Sequence, residues 1–313
     1  MPARNLLAVG AGLASALLFC SIMTGSPIAM IVMPFSMLPL FLIGLSGGIT
    51  PTIISGIVAI VVVAGMGSMI SAIAYAAAEA IPAIIISRQA ARTYKDKSGQ
   101  ILWTPASNLI GYITAYGAIL LIAIFIGSSG LQGGFIGLVE RQIATALEPM
   151  VSSNATSQKA ISEIATEIAR LAPGTMAAWW LAITLMSLGI SHILLKRWRR
   201  NIRPELGLSR LKNPRWIILA LIASLGLGLL TEGTADLIGW NLFQVLIVPF
   251  IFVGLMVIHL LCRNWGPGPI FVGLFYLFIF IRGWPILLAA VLGFAEQWVK
   301  MRERIEDTKP TAT

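Results

Sequence analysis

Long apolar stretches alternate with short polar segments along nearly the whole chain. The apolar stretches cover roughly residues 6–24, 28–45, 50–67, 69–87, 104–127, 174–195, 214–231, 239–262, 268–281 and 285–300. A helix needs roughly 20 residues to cross a hydrocarbon core of about 30 Å, and most of these stretches approach that length. The pattern therefore predicts an all-α fold, a polytopic transmembrane helical bundle of about ten spans, within a range of eight to ten.

The last apolar block is too long for one crossing. A single helix over residues 268–299 would be about 48 Å long at 1.5 Å per residue. Gly283 interrupts the block, and Pro285 suits the first turn of a new helix. We therefore predict a hairpin of two short helices with Arg282, Trp284 and Pro285 in its turn. One broken helix is the alternative.

Basic residues gather in segments that are separated by an even number of predicted spans. Such segments follow span four at Arg88, span six at Lys196 and the last span at Arg302. The positive-inside rule then places these segments and both termini in the cytoplasm. The formal net charge is +9, and the basic residues lie next to helix ends, where they can contact anionic lipid headgroups. We therefore expect a lipid bilayer as partner and no nucleic acid.

The composition leaves no room for a separate soluble domain. Hydrophobic residues make up 57% of the chain and charged residues 11%. We expect a single integral membrane domain over residues 1–302 and a polar cytoplasmic tail over residues 303–313. The same topology places one polar insert, residues 128–173, on the outer side. Ile161, Ile164, Ile168 and Leu171 recur there at helical spacing, and residues 135–150 are amphipathic as well. We expect two short helices over the outer face, forming either a lid or a packed connecting loop.

Glu79 is the most informative single residue, because it lies near the middle of span four. A charged side chain there costs about 2.5 to 3.5 kcal/mol on insertion scales. Ser71 and Tyr75 precede it at intervals of four, which makes one polar stripe on the helix. The stripe suits a polar ligand, a proton site or an interhelical hydrogen bond. The adjoining face carries small residues that allow close helix packing: Ala72, Ala76 and Ala80.

Other polar residues in the spans have weaker signals. Asn108 and Tyr112 face together in span five and are further ligand candidates. Asn241 and Gln244 in span eight are typical of amides that join neighbouring helices. We expect Asp236, in the turn before span eight, to be solvated.

Motifs for enzymatic chemistry are absent from the sequence. The chain contains no nucleophile elbow, phosphate-binding loop, HExxH motif or paired catalytic carboxylates. Cys20 and Cys262 lie at opposite membrane faces in the predicted topology, so they form neither a disulfide nor a metal site. We expect no enzyme activity, no cofactor and no metal. Small residues in span one give two overlapping small-xxx-small patterns, suited to packing or to docking a partner subunit: Gly10, Gly12, Ala14 and Ala16.

Several short motifs together resemble one bacterial family. They are Gly12–Phe19, Leu38–Leu45 with the two glycines at 47 and 48, Ala80–Ala83 before Arg88, and Gly293–Trp298 with Arg302. The chain resembles the YybS-type multi-pass membrane proteins, an uncharacterised family with a domain of unknown function. This resemblance implies a location in the bacterial inner (plasma) membrane.

That family is distantly similar to the substrate-binding components of energy-coupling-factor transporters. Those components bind micronutrients within about six helices and dock through an Ala-xxx-Ala face on their first helix. The resemblance thus implies a small-molecule-binding or transport-related protein, with a small polar metabolite as ligand and span one as docking face for other membrane subunits. The extra spans and the outer insert have no counterpart in that pattern. A structural or assembly protein without a ligand, and a secondary transporter with five-plus-five inverted halves, are the alternatives.

Overall fold

α-Helices build almost all of the protein, whose structure is a computed structural model. It describes residues 2–95, 99–128, 130, 133–147, 155–202, 212–263, 265–299, 301, 302 and 304. The helices are α1 (Pro2–Cys20), α2 (Pro27–Val32), α3 (Leu38–Gly47), α4 (Ile49–Met66), α5 (Met69–Tyr75), α6 (Ile81–Ala90), α7 (Ala106–Ser128), α8 (Gly134–Leu147), α9 (Ala155–Arg197), α10 (Arg215–Leu230), α11 (Thr234–Arg263), α12 (Gly268–Arg282) and α13 (Pro285–Val299). Short 3-10 turns cover Ser21–Thr24 and Met33–Phe35, and a π-helical turn covers Ala76–Ala80.

Within the described part of the chain, seven helical stretches are long and apolar enough to cross a membrane. They are Arg4–Thr24, Pro27–Gly47, Ile49–Met66, Met69–Ala90, Ala106–Ser128, Glu163–Arg197 and Thr234–Arg263. Many large apolar side chains on these helices point outward, such as Ile70 at 80% exposure, as expected of helices that face lipid. The predicted all-α membrane protein is therefore confirmed.

The number of spans depends on three shorter apolar helices. α10 has 16 residues, and α12 and α13 have 15 residues each. Helices of this length reach only about 22 to 24 Å. The count of ten spans therefore stays a prediction. In the described chain α12 ends at Arg282, Gly283 adopts a left-handed φ of 72°, and α13 begins at Pro285. The last apolar block thus forms two helices, and they contact each other.

The chain divides into two compact units. The first comprises Met1–Ile113 and Ala182–Leu208. In it, α1 packs against α3 and α4, and α6 packs against the same two helices. Its largest fully buried side chains include Phe41, Tyr75 and Ile86. β1 (Thr93–Lys95) pairs antiparallel with β2 (Ile101–Trp103), and the hydropathy pattern did not predict these strands.

The second unit comprises Thr114–Leu181 and Ser209–Thr313. Its central helix is α11, which packs against α10, α12 and α13. Ile217, Leu221, Leu246 and Phe250 form a buried cluster at the α10–α11 contact. Glycines let the backbones of α11 and α13 approach, because a Cβ on Gly254 would overlap the carbonyl oxygen of Ala289.

A buried ion pair joins the end of α13 to the residues that follow it. The side chains of Glu296 and Arg302 are 2% and 4% exposed, and Arg302 Nε lies 3.0 Å from Glu296 Oε1. The same carboxylate accepts hydrogen bonds from the backbone N–H groups of Met301 and Arg302 at 2.7 and 3.2 Å. These bonds give the buried carboxylate both charge compensation and hydrogen-bond partners.

The polar insert differs from the expected pair of separate short helices. α8 covers Gly134–Leu147, but the second amphipathic stretch is the beginning of α9, which continues through Pro173 to Arg197 over 43 residues, or about 65 Å. The buried face of this stretch carries Ala165 and Ala169, whereas Ile164 and Ile168 are about half exposed. Residues 129, 131, 132 and 148–154 of the insert, and most of the predicted tail, lie outside the described residues.

α9 continues past Pro173 because an amide from α11 replaces part of its backbone ladder. Pro173 lacks an N–H group and normally disrupts a helix. Here the Gly174 N–H group donates to Asn241 Oδ1 at 2.5 Å, and Asn241 Nδ2 donates to the Arg170 carbonyl at 2.9 Å. Gly174 permits this approach, because a Cβ there would lie 2.7 Å from Asn241 Cα. Asn241 thus bridges the Gly174 N–H and the Arg170 carbonyl, the i→i−4 pair directly after Pro173, so that a neighbouring helix satisfies both groups.

Candidate functional site

Glu79 lies in the π-helical turn between α5 and α6. Pro82 supplies no backbone N–H, so a regular i→i−4 ladder cannot continue through this position. The preceding N–H, of Ile81, donates to the carbonyl of Ala76, five residues back. π-helical turns within α-helices are frequent at functional sites. The turn here holds Glu79 on the inner face of the first unit, where it is only 7% exposed.

Tyr75, one turn before Glu79, begins a chain of buried hydrogen bonds. Its hydroxyl lies 2.5 Å from Ser15 Oγ in α1, and the Ser15 hydroxyl donates to the Ser36 carbonyl at 2.6 Å. A serine hydroxyl has one proton, so the Tyr75 hydroxyl is the donor in the first bond. The ring of Phe19 meets the Tyr75 ring edge to face at 5.1 Å. The chain joins α5, α1 and the segment after the second 3-10 turn.

The Glu79 carboxyl group retains hydrogen-bonding capacity inside this cluster. Its Oε2 has no hydrogen-bond partner among the described residues, and neither does Ser36 Oγ. The Ser36 hydroxyl lies beside the Glu79 carboxyl group. An acceptor that is buried without a partner, as Glu79 Oε2 is, is unfavourable until a proton or another polar group completes it. The arrangement suits binding of a proton or of a small hydrogen-bond donor.

A family comparison agrees with the membrane architecture. The family model described as predicted membrane protein (DUF2232) matches residues 13–296. The chain belongs to the DUF2232 family. This match confirms the expected membership in an uncharacterised family of membrane proteins. The resemblance to the YybS-type group and to transporter components stays a prediction. Neither the curated proteins nor the solved structures gave a match.

The other predicted ligand residues of this DUF2232 protein lie away from the hydrogen-bond chain. Ser71 is paired with Ser68 at the start of α5, with 3.0 Å between the two hydroxyl oxygens. Asn108 and Tyr112 lie on the exposed side of α7. Of the proposed ligand set, the structure therefore brings together Tyr75 and Glu79. Within the described residues, no group of three or more His, Cys, Asp or Glu side chains is arranged to hold a metal ion.

The small residues of this DUF2232 protein divide into packed and open positions. Gly12 and Ala16 are buried, and a Cβ on Gly12 would overlap the Ser55 carbonyl oxygen in α4. Gly10 and Ala14 are exposed, so the two patterns on span one have different surroundings. On the Glu79 helix, Ala72 and Ala80 are buried, whereas Ala76 is half-buried. Ala80 packs against Gly56 of α4.

Three polar residues with defined roles were missed or misinterpreted in the sequence. Ser15 and Ser36 gave no signal, because isolated serines are common in spans and only the fold brings these two to Tyr75 and Glu79. Asp236 was expected to be merely solvated. Its carboxylate instead pairs with Arg170 at 2.7 Å, a partner 66 residues away that local spacing could not reveal.

Proposed function

We propose that this DUF2232 protein is a non-enzymatic membrane protein that binds a small cationic or protonatable solute at Glu79, in a role related to transport. The observation that carries the proposal is the buried Glu79 carboxyl group with its unpartnered Oε2. A carboxylate in a membrane interior is expensive, and polar groups at such positions mark solute or proton pathways in many membrane proteins. A bound cation or proton would offset that cost.

The surrounding groups fit an ammonium group. An ammonium has three N–H donors and needs acceptors. Glu79 Oε2, Ser36 Oγ and the phenolic oxygen of Tyr75 are acceptors within one buried cluster. The phenol can still accept, because its own proton is directed at Ser15. The matching ligand is therefore a small amine rather than an anion.

A structural or assembly role is the second candidate. The bonds from Tyr75 through Ser15 to Ser36 join three segments of the first unit, and such bonds would stabilise the fold without any ligand. Glu79 would then be a neutral acid. The secondary-transporter alternative has less support, because the boundaries of the compact units, after residues 113, 181 and 208, do not follow a split into two equal halves.

The substitution Glu79→Gln distinguishes the two roles. Glutamine keeps the shape of a protonated glutamate but cannot carry the negative charge that attracts an ammonium group. The experiment is a thermal-shift screen of the purified protein in detergent with methylammonium, ethanolamine and putrescine. Ser71→Ala is the matched control, because Ser71 is half-buried and lies eight residues before Glu79, about two helical turns away. A ligand at 100 times its Kd would stabilise the wild type by about 2.7 kcal/mol.

We expect at least one amine to stabilise the wild type and the control but not Glu79→Gln. An amine that shifts all three proteins equally would remove Glu79 from the binding site. If no amine shifts the wild type, and Glu79→Gln unfolds within about 1 to 2 kcal/mol of it, the structural role is correct.

We further propose that the three shorter apolar helices complete ten spans, with both termini in the cytoplasm of a bacterium. The basic segments beside the helix ends support this orientation.

A further inference from the structure

A cavity of about 380 Å³ lies in the second unit, between α9 and the first turns of α11. Its volume falls in the range of small-molecule sites, about 300 to 1,000 Å³. It does not involve Glu79. The lining residues are Glu167, Arg170, Leu171, Asp236, Leu237 and Trp240.

Side chains of α11 hold the α9 wall of the cavity in place, next to Pro173. Asn241, which is fully buried, binds the Arg170 carbonyl, and Gln244 Nε2 lies 3.4 Å from the Leu171 carbonyl. The Thr175 hydroxyl lies 2.6 Å from Gln244 Oε1. Two lining residues therefore have backbone carbonyls tied to α11. Side chains on such a fixed wall need little reorganisation to meet a ligand.

The cavity is lined by two carboxylates and one guanidinium group. Arg170 contacts Asp236 at 2.7 Å and Glu167 at 3.7 Å, so one cation faces two carboxylates. The Asp236 side chain is only 16% exposed and is neutralised by the close contact, whereas the Glu167 side chain is 72% exposed. A guanidinium group has five N–H donors, more than these two contacts use. The cavity thus offers a carboxylate for a cation and a guanidinium for an anion.

Trp240 adds an aromatic surface beside these charges. Its indole packs against Gly228, where a Cβ would lie 3.2 Å from the ring atoms. Indole faces attract ammonium groups. Trp240 follows Asp236 by four residues and stands at the beginning of the apolar run of α11, a position where tryptophans commonly meet lipid headgroups.

We propose that this cavity binds a zwitterionic group in which an ammonium lies next to a phosphate or carboxylate. The ammonium contacts Glu167 and the face of Trp240, and the anionic group contacts the guanidinium of Arg170. Leu171 and Leu237 cover the apolar part of the ligand. The same chemistry occurs in the headgroup of an ethanolamine phospholipid and in free phosphorylethanolamine. This site is independent of the function proposed for Glu79.

The test measures binding to the purified, delipidated protein by native mass spectrometry. The probes are dihexanoyl phosphatidylethanolamine, dihexanoyl phosphatidylglycerol, which lacks the ammonium, and phosphorylethanolamine, which lacks the acyl chains. The variants are Glu167→Gln and Arg170→Gln. Glu163→Gln, an exposed carboxylate one turn earlier in α9, is the matched control.

We expect the wild type to bind an ethanolamine probe at least tenfold more tightly than phosphatidylglycerol. Glu167→Gln should reduce this preference at least fivefold, while Glu163→Gln should change it less than twofold. Binding of the lipid alone identifies a membrane headgroup, and equal binding of phosphorylethanolamine identifies a free ligand. Equal affinity for both lipids, no binding of any probe at millimolar concentration, or an unchanged preference in Glu167→Gln overturns the proposal. The exposed Glu167 does not support the fold, so its variant decides the outcome even if Arg170→Gln unfolds.

Discussion

Asn241→Ala provides a direct test of the way in which α9 passes Pro173. The substitution removes the acceptor of the Gly174 N–H and the donor to the Arg170 carbonyl. A buried backbone group left without a partner costs about 1 to 3 kcal/mol. With two such groups, we expect the free energy of unfolding to fall by about 2 to 6 kcal/mol. An ordinary interhelical hydrogen bond in a membrane averages only about 0.6 kcal/mol, so simple helix joining would cost about 1 kcal/mol.

A double-mutant cycle with Pro173→Ala separates these explanations. An alanine at position 173 restores the missing N–H and lets α9 close its own ladder, so Asn241→Ala should then cost about 1 kcal/mol or less. Unfolding in mixed micelles with increasing dodecyl sulfate, followed by circular dichroism, measures each variant. Asn108→Ala, at an exposed position of α7, is the matched control and should change stability by less than about 0.5 kcal/mol. Equal costs of Asn241→Ala in both backgrounds would refute the reasoning.

Three further predictions concern packing and topology. Gly12→Ala should lower the unfolding midpoint, since its Cβ would overlap a backbone carbonyl of α4, whereas Gly10→Ala, with open space around it, should be neutral or stabilising by up to about 1 kcal/mol. Gly254→Ala should loosen the contact of α11 with α13 and destabilise by about 2 kcal/mol or more, in contrast to the open position Gly273, as the same unfolding assay would show. Reporter fusions after Gly99 and at the C-terminus should give cytoplasmic signals; an external C-terminus would exclude the ten-span topology.

The apolar runs were sufficient to predict most of the helices, because a helix facing lipid must be apolar along its whole length. The apolar runs did not predict that α9 continues through Pro173. Pro173 marked the end of a helix by local rules, and the polar residues before it indicated a separate segment. The bonds that carry the helix past Pro173 come from Asn241, 67 and 71 residues away from its two partners. No local pattern contains that information.

The candidate site was predictable in the same partial way. Tyr75 and Glu79 stand four residues apart on one helix, so their proximity follows from helix geometry. Their partners Ser15 and Ser36 come from other elements, 60 and 39 residues before Tyr75 in the chain. Asn108 and Tyr112 are residue types that often bind ligands, but both lie on the exposed side of α7. Which side of a helix is exposed depends on its packing, and hydropathy does not specify that packing.

The ion pair between Glu296 and Arg302 determines how truncation at the C-terminal end should affect the stability of this protein. The family match ends at residue 296, whereas the cation that neutralises Glu296 comes six residues later. A chain that stops before Met301 leaves a buried carboxylate without its counter-charge and without two backbone donors, and breaking such a pair typically costs about 3 to 5 kcal/mol. A prematurely ended or clipped chain retains all its apolar helices yet should be marginally stable and prone to degradation.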